Sequence, residues 1–142
     1  MAGIQRIKGQ GGAFREMPIS SLAFVVNDIA MYDFNNNIVI KATSSATPER
    51  IAGIVVAAST TSDTVVLVQK IAAGDEFSAE TGSNTAASMD LERMSLTDEN
   101  TVNNSGSDQT DDTGVFQQLG IIGAVGDKLI RGQFVTRQDR SA

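Results

Sequence analysis

The 142-residue sequence contains no histidine, no cysteine and no tryptophan. Their absence removes the usual general base, the thiol nucleophile and the side chains that bind transition metals most strongly. No apolar run approaches the roughly 18 residues of a membrane-spanning helix, and the first residues lack the apolar segment of a signal peptide. The sequence therefore favours a binding or structural protein over an enzyme. It predicts no membrane partner, and an intracellular compartment is the default.

The residues that are present are small, β-branched and acidic. The net charge is −6, and an acidic chain is attracted only weakly to phosphate backbones, so direct binding to nucleic acid is not expected. Hydrophobic residues make up 41% of the chain but aromatic residues only 5%, which leaves a core of mainly Ala, Val and Ile. Such residues suit thin, packed β layers. A domain of this length can bury a core without disulfides.

The pattern of apolar residues and turn signals predicts a mainly β protein, a small β-barrel or sandwich with one short helix and an extended N-terminal arm. The Asn35–Asn37 run predicts a turn, because asparagine tolerates left-handed backbone conformations. Alanine, methionine and leucine at residues 84–91 predict the short helix. The predicted strands are residues 19–26, 29–33, 38–42, 51–58, 64–70, 76–79, 93–96, 115–123 and 128–136.

Residues 1–16 differ from the rest of the chain in composition. They hold four glycines and three basic residues against a single acid, which predicts a flexible basic arm. Two interpretations stay open, an untethered terminus or an arm that becomes ordered on a partner. The second makes Arg6, Lys8, Phe14 and Arg15 the candidate partner-binding residues. The remaining divisions are a single β domain at residues 17–136, with an acidic loop at 97–114, and a polar tail at 137–142.

Neither of the two motifs that suggest ligand chemistry meets the requirements of that chemistry. The glycines of Gly9-Gln10-Gly11-Gly12 lack the spacing and the Lys-Ser/Thr ending of a phosphate-binding loop. Asp108, Asp111 and Asp112 offer oxygen ligands of the kind calcium prefers, but not the spacing of a calcium loop, so a solvated acidic loop is predicted. Serine is plentiful, but a nucleophilic triad needs a histidine. No catalytic, cofactor-binding or metal-binding residue is therefore predicted, and no cofactor.

The order of elements over residues 19–135 resembles the small capsid decoration, or cement, proteins of tailed bacteriophages. In that family a strand with a Gly-Val/Ile stretch precedes a Val-x-Val strand. A Gly-Ile-Ile-like strand then leads to a Gly-x-Phe ending. The matching motifs are Gly53-Ile54-Val55, Val66-Leu67-Val68, Gly120-Ile121-Ile122 and Gly132-Gln133-Phe134. The acidic excursion at residues 97–114 departs from the shortest members of the family.

The resemblance implies a structural protein that is made in the host cytoplasm and binds the outer surface of the virion capsid. Its partner would be the phage major capsid protein, and its own assembly a homo-oligomer, with a trimer favoured. Two other classes of function stay open. One is a carbohydrate-binding β module at a virion or cell surface, which requires an exposed and often aromatic platform. The other is a metal-dependent enzyme that uses the acidic loop.

Overall fold

A computed structural model describes residues 3–105 and 114–135, and over these ranges the mainly β prediction is confirmed. The strands form two sheets, and no helix in the described ranges has the length and apolarity to cross a bilayer. The strands are β1 (Ile4–Lys8), β2 (Phe14–Pro18), β3 (Ile29–Asp33), β4 (Ile38–Lys41), β5 (Ile51–Val55), β6 (Val65–Gln69), β7 (Glu76–Thr81), β8 (Arg93–Asp98), β9 (Thr101–Asn103), β10 (Phe116–Ile122) and β11 (Leu129–Phe134).

The larger sheet is closed into a small barrel. Its strand order is β1-β7-β11-β10-β8-β9, and β9 also pairs with β7. This last pairing is parallel, with Glu80 opposite Thr101 and Thr81 opposite Val102. A closed ring therefore forms from β7, β11, β10, β8 and β9. β1 pairs with the same edge of β7 as β9 does, along the residues that β9 does not reach.

The smaller sheet has the order β2-β6-β5-β3-β4 and is antiparallel throughout. Its two edge strands, β2 and β4, approach each other, so this sheet is also strongly rolled. The chain passes from the larger sheet to the smaller one between β1 and β2, and it returns between β6 and β7.

Two hydrophobic cores result. In the first, the Phe134 ring meets the rings of Phe77 and Phe116 edge to face, with centroids 5.2 and 5.1 Å apart. The second core lies in the rolled smaller sheet around the fully buried Phe24. Branched aliphatic side chains fill most of the remaining space, as the composition predicts.

Strands β3 and β5 form the wall between the cores. Ile29 and Met31 of β3 pack into the first core, and Ala30 packs into the second. In β5, Ile54 packs into the first core and Val55 into the second. Because successive strand residues point to opposite faces, a strand buried on both sides has no polar alternation, and this accounts for the continuous apolar runs in the sequence.

The prediction of a flexible arm at residues 1–16 is wrong for residues 3–16, the part that the structure describes. β1 pairs with β7, and β2 pairs with β6. Gly9 and Gly11 have φ values of +95° and +75°, and a side chain at either would collide with its neighbours. The glycines therefore serve close packing and left-handed backbone rather than flexibility.

Three further expectations need correction. Residues 19–26 form no strand; Ile19 and Phe24 reach the second core from irregular backbone. The predicted helix at 84–91 is reduced to one 3-10 turn, Ala87–Met89. Ala86 before it is extended, and Leu91 after it has a left-handed backbone and donates its N–H to the Gln118 carbonyl, so the helix does not continue in either direction. The expected loop at 97–114 begins as an antiparallel pair of β8 and β9. Its residues 106–113, which include Asp108, Asp111 and Asp112, lie outside the described residues, as does the polar tail.

Candidate functional site

Large apolar side chains are exposed mainly where the chain turns. Five of the eight exposed ones in the described residues lie at turns, although turn positions usually carry polar residues or glycine. We refer to these five as the apolar turn residues. They are Val25, Val26, Phe34, Leu91 and Val125; the other three are Ile7, Phe14 and Val65.

The turn Val25–Asp28 presents two adjacent valines to solvent on a fixed backbone. The Asp28 N–H donates to the Val25 carbonyl at 3.1 Å, and the Val25 N–H donates to Asp28 Oδ2 at 2.9 Å. Asn27 adopts the left-handed conformation, φ 77°, and donates its N–H to the Val55 carbonyl at 2.8 Å. Val25 and Val26 remain 57% and 52% exposed. The turn is therefore held at both ends while its apolar side chains stay in water.

Asp28 anchors this turn from the inside. Its side chain is buried, and Oδ2 lies 3.9 Å from Lys41 Nζ, which is also 4.0 Å from Glu99 Oε1. Burial raises the pKa of the Asp28 carboxyl, and the Val25 N–H and Lys41 oppose that rise. The carboxylate is thus retained in a poorly solvated position because it closes the turn.

Leu91 combines exposure with an unfavourable backbone conformation. Its φ is 70° and it is 67% exposed. Its N–H donates to the Gln118 carbonyl at 2.6 Å, and its carbonyl accepts from Gln117 Nε2 at 3.0 Å. The left-handed region costs a non-glycine residue about 1–2 kcal/mol. A leucine that gains little burial in such a position is a candidate for contact with a partner.

A cleft of about 290 Å³ opens where the two sheets meet. Polar and apolar atoms contribute comparable parts of its lining, which includes one carboxylate, Glu49, and one ammonium group, Lys70. The remaining lining residues are Tyr32, Pro48, Ile51, Ala52, Ile71, Phe134 and Val135.

An aromatic pair stands beside this cleft. The rings of Tyr32 and Phe34 stack with centroids 5.4 Å apart and planes 20° apart. Phe34 begins the loop between β3 and β4, where Asp33 Oδ1 accepts the Asn35 N–H and Asp33 Oδ2 accepts Asn36 Nδ2. The hydrogen bond from the Asn36 side-chain amide lowers the pKa of the Asp33 carboxyl. These hydrogen bonds order the loop that carries Phe34, whose ring contacts Tyr32.

The structure divides the four predicted partner-binding residues between two sheets. Arg6 packs inward, with Nε 3.5 Å from Asp75 Oδ2 and its guanidinium 5.6 Å from the centroid of the Phe77 ring. Lys8 lies 3.9 Å from Glu76, with its side chain largely in solvent. Phe14 and Arg15 are exposed at the start of β2. Arg6 therefore has a structural position, whereas the other three are accessible.

The sequence did contain a signal for the apolar turn residues. Val25 and Val26 directly precede Asn27-Asp28, two residues that favour turns, but both valines fell inside the predicted strand at 19–26. Leu91 counted as a helix former, which concealed its exposure. Phe34 adjoins the Asn35–Asn37 turn in the same way.

No group of three or more acidic side chains in residues 3–105 and 114–135 is arranged to hold a metal ion. Comparison of the chain with family models, curated proteins and solved structures finds no match.

Proposed function

We propose that this chain is a capsid decoration protein of a tailed bacteriophage. It would be made in the host cytoplasm, bind the outside of the head and stabilise contacts between major capsid proteins. The observation that supports this most is the exposure of apolar side chains at turns, because these side chains gain little burial in the isolated chain and would gain it against a partner. The resemblance of motifs such as Gly53-Ile54-Val55 and Gly132-Gln133-Phe134 to those of decoration proteins favours the same class of partner.

Docking through side chains at turns fits the chain better than addition of a strand to a sheet edge. The β1 edge is interrupted by a bulge at Ile7 and carries Lys8. The β2 edge carries Arg15, Glu16 and Pro18. Bulges, charges and prolines are the features that protect edges from pairing with another chain.

The energetics suit a contact made on an assembled shell. Full burial of one Val or Leu side chain contributes about 1.5–3 kcal/mol, and association itself costs several kcal/mol, so a few apolar contacts give modest affinity per copy. A protein that binds only the assembled shell stabilises that shell by mass action. Many copies on one head would multiply the effect.

Self-association belongs to the same proposal, with a trimer as the expected state. Analytical ultracentrifugation of the purified chain at micromolar concentration tests it. A trimer would agree with the proposal. A monomer at all concentrations would restrict assembly to the capsid surface and contradict the trimer.

Co-sedimentation tests attachment. Shells assembled from the major capsid protein of the encoding phage should pellet the purified chain saturably. A double variant, Val25→Ser with Val26→Ser, should weaken binding at least about tenfold, since it removes two buried apolar side chains. Val65→Ser is the matched control, because Val65 is 43% exposed on a strand. Equal losses in both variants, or no pelleting of the unmodified chain, would contradict the proposal.

A further inference from the structure

One lysine of the smaller sheet lies close to two carboxylates. Lys41 Nζ is 3.9 Å from Asp28 Oδ2 and 4.0 Å from Glu99 Oε1. The Asp28 side chain is only 2% exposed, whereas those of Lys41 and Glu99 are 32% and 25% exposed. An amine therefore lies near a buried carboxyl group and a second, more accessible carboxylate.

Backbone hydrogen bonds connect the three segments that carry these side chains. The N–H of Ile29, the residue after Asp28, donates to the Glu99 carbonyl at 2.8 Å. The N–H of Ala42, the residue after Lys41, donates to the Ile29 carbonyl at 2.9 Å. The fold thus keeps the three groups together. Groups held in this way react as if they were at a very high local concentration.

Asp28 has the environment of an electrophile. Burial raises the pKa of its carboxyl above the ordinary 3.8, which favours the neutral form that an amine attacks. The Val25 N–H donates to Asp28 Oδ2 at 2.9 Å. This donor would stabilise the negative charge that develops on Oδ2 during the attack. Glu99 Oε1, the other oxygen near the amine, is placed to carry its protons.

We infer that Lys41 and Asp28 condense to an amide bond within the folded chain, with Glu99 as the proton carrier. Lys41 Nζ attacks Asp28 Cγ and forms the C–N bond, and the bond from Cγ to Oδ1 breaks. Two protons pass from the nitrogen to the departing oxygen, which leaves as water. An ammonium and a carboxylate thus become one amide and one water molecule, and no co-reactant is consumed. Until the bond forms, Asp28 keeps its free carboxyl group.

The bond would close a covalent ring from residue 28 to residue 41, around the antiparallel pair of β3 and β4. Such a link restricts the unfolded chain and so stabilises the folded one. The chain contains no cysteine, so a disulfide cannot supply this constraint. The inference does not depend on the proposed capsid contact, because the reaction needs only the isolated chain.

Intact-mass spectrometry of the full-length chain tests the inference. Chain that has been refolded from urea and kept at neutral pH for several days should lose the mass of one water molecule. The rate should not depend on protein concentration, because the reaction is intramolecular. An unchanged mass would overturn the inference.

Tryptic digestion locates the bond. The linked chain should give a peptide of residues 16–50 that is uncut at Lys41 and lighter by one water molecule. A succinimide at an aspartate loses the same mass but leaves Lys41 cleavable, and this result would contradict the inference. A peptide of residues 16–50 joined to residues 94–128 would show that Lys41 links to Glu99 instead, and would also contradict it.

Variants of the two reacting residues give distinct masses. Lys41→Arg keeps the positive charge without the attacking amine, and Asp28→Ala lacks the carboxyl group, so both should keep their full mass. Asp28→Asn should lose ammonia instead of water. It should reach the same final mass as the unmodified chain, since both form the same amide. Loss of water from Lys41→Arg would contradict the link.

Two further variants separate the role of Glu99 from that of any neighbouring carboxylate. Glu99→Gln should slow the loss of water at least about a hundredfold, because a proton carrier is removed. Lys8→Arg is the matched control: Lys8 Nζ also lies 3.9 Å from a carboxylate oxygen, of Glu76, but its side chain is 75% exposed. This variant should lose water at the unmodified rate. Retention of full mass by Lys8→Arg, or an unchanged rate in Glu99→Gln, would contradict the assignment.

Discussion

At the scale of single residues, Leu91 combines an unfavourable backbone conformation with an exposed apolar side chain, and this combination suggests a contact with a partner. Its left-handed backbone is one that glycine adopts freely, and its side chain is mostly in water. Leu91→Gly should therefore raise the free energy of unfolding by up to about 1 kcal/mol while weakening attachment to capsid shells. Urea denaturation and co-sedimentation measure the two effects. A destabilised variant would show that Leu91 contributes to packing instead.

Asp28 makes a testable contribution to the pH dependence of stability. Burial raises its pKa in the folded state above the ordinary 3.8, so the folded chain holds this proton more tightly than the unfolded chain. The associated stability is fully present below the unfolded pKa and is lost as the pH rises through the folded pKa. Asp28→Asn, which retains an oxygen to accept the Val25 N–H, should remove that loss.

Denaturation of both proteins between about pH 3 and pH 7 measures this contribution. The unmodified chain should lose stability relative to Asp28→Asn as the pH rises over this range. The opposite trend would mean that the interaction with Lys41 outweighs burial.

Gly132 tests the close packing of the first core. A Cβ at this position would collide with the Phe116 ring and the Gln117 carbonyl. Gly132→Ala should therefore cost about 1–3 kcal/mol of the free energy of unfolding, measured in urea. Gly126→Ala is the control, because nothing lies within 4 Å of its added Cβ, and it should change stability by less than about 0.5 kcal/mol. Similar costs for both would argue against this packing.

At the scale of elements, one buried side chain helps to hold the connection between β1 and β2, beside the backbone hydrogen bonds that Gly12 and Ala13 make with Lys70. Gln69 Nε2 donates to the carbonyls of Gln10 and Gly12 at 2.8 and 3.1 Å. Gln69→Ala leaves both carbonyls without this donor and should cost about 1–3 kcal/mol. Amide hydrogen exchange at residues 10–14 should accelerate as well.

Gln133→Ala is the control for Gln69→Ala. Its Nε2 donates to another side chain, Gln117 Oε1, at 3.0 Å in a half-buried position. It should cost less than Gln69→Ala and leave exchange at residues 10–14 unchanged. Unchanged exchange in Gln69→Ala itself would show that the connection is held by other contacts.

The elements also show how far the sequence predicts this fold. Strands β3 to β8, β10 and β11 were predicted near their observed positions, because β-branched runs between turn signals are a local property of the chain. β1 and β2 were missed, since glycines and charges that serve packing against Asp75 and Gln69 look like flexibility without the tertiary contacts.

Prediction of the candidate surfaces was less complete. Phe14, Arg15 and Lys8 were named in advance and are exposed, whereas Arg6 lies against Phe77. The apolar turn residues were not named, because exposure of an apolar side chain depends on which strands surround it. The stacking of Phe34 on Tyr32 depends likewise on the geometry of the β3–β4 loop.

At the scale of the whole molecule, two cores divided by a shared wall provide a rigid support for exposed turns. Five of the eight exposed large apolar side chains in the described residues lie at turns. A bulge, charged residues and a proline protect the edges of β1 and β2 from pairing with another strand. This arrangement favours a protein whose function is to fit against another surface. The central claim is that this surface is the outside of a phage head.

A cryo-electron microscopy map of the phage head to which this chain is proposed to bind tests that claim most directly. The account predicts density for this fold on the outer capsid surface, with the Val25–Asp28 turn and Leu91 buried against the major capsid protein. A head without this chain, or a bound chain whose apolar turn residues all face solvent, would contradict the account.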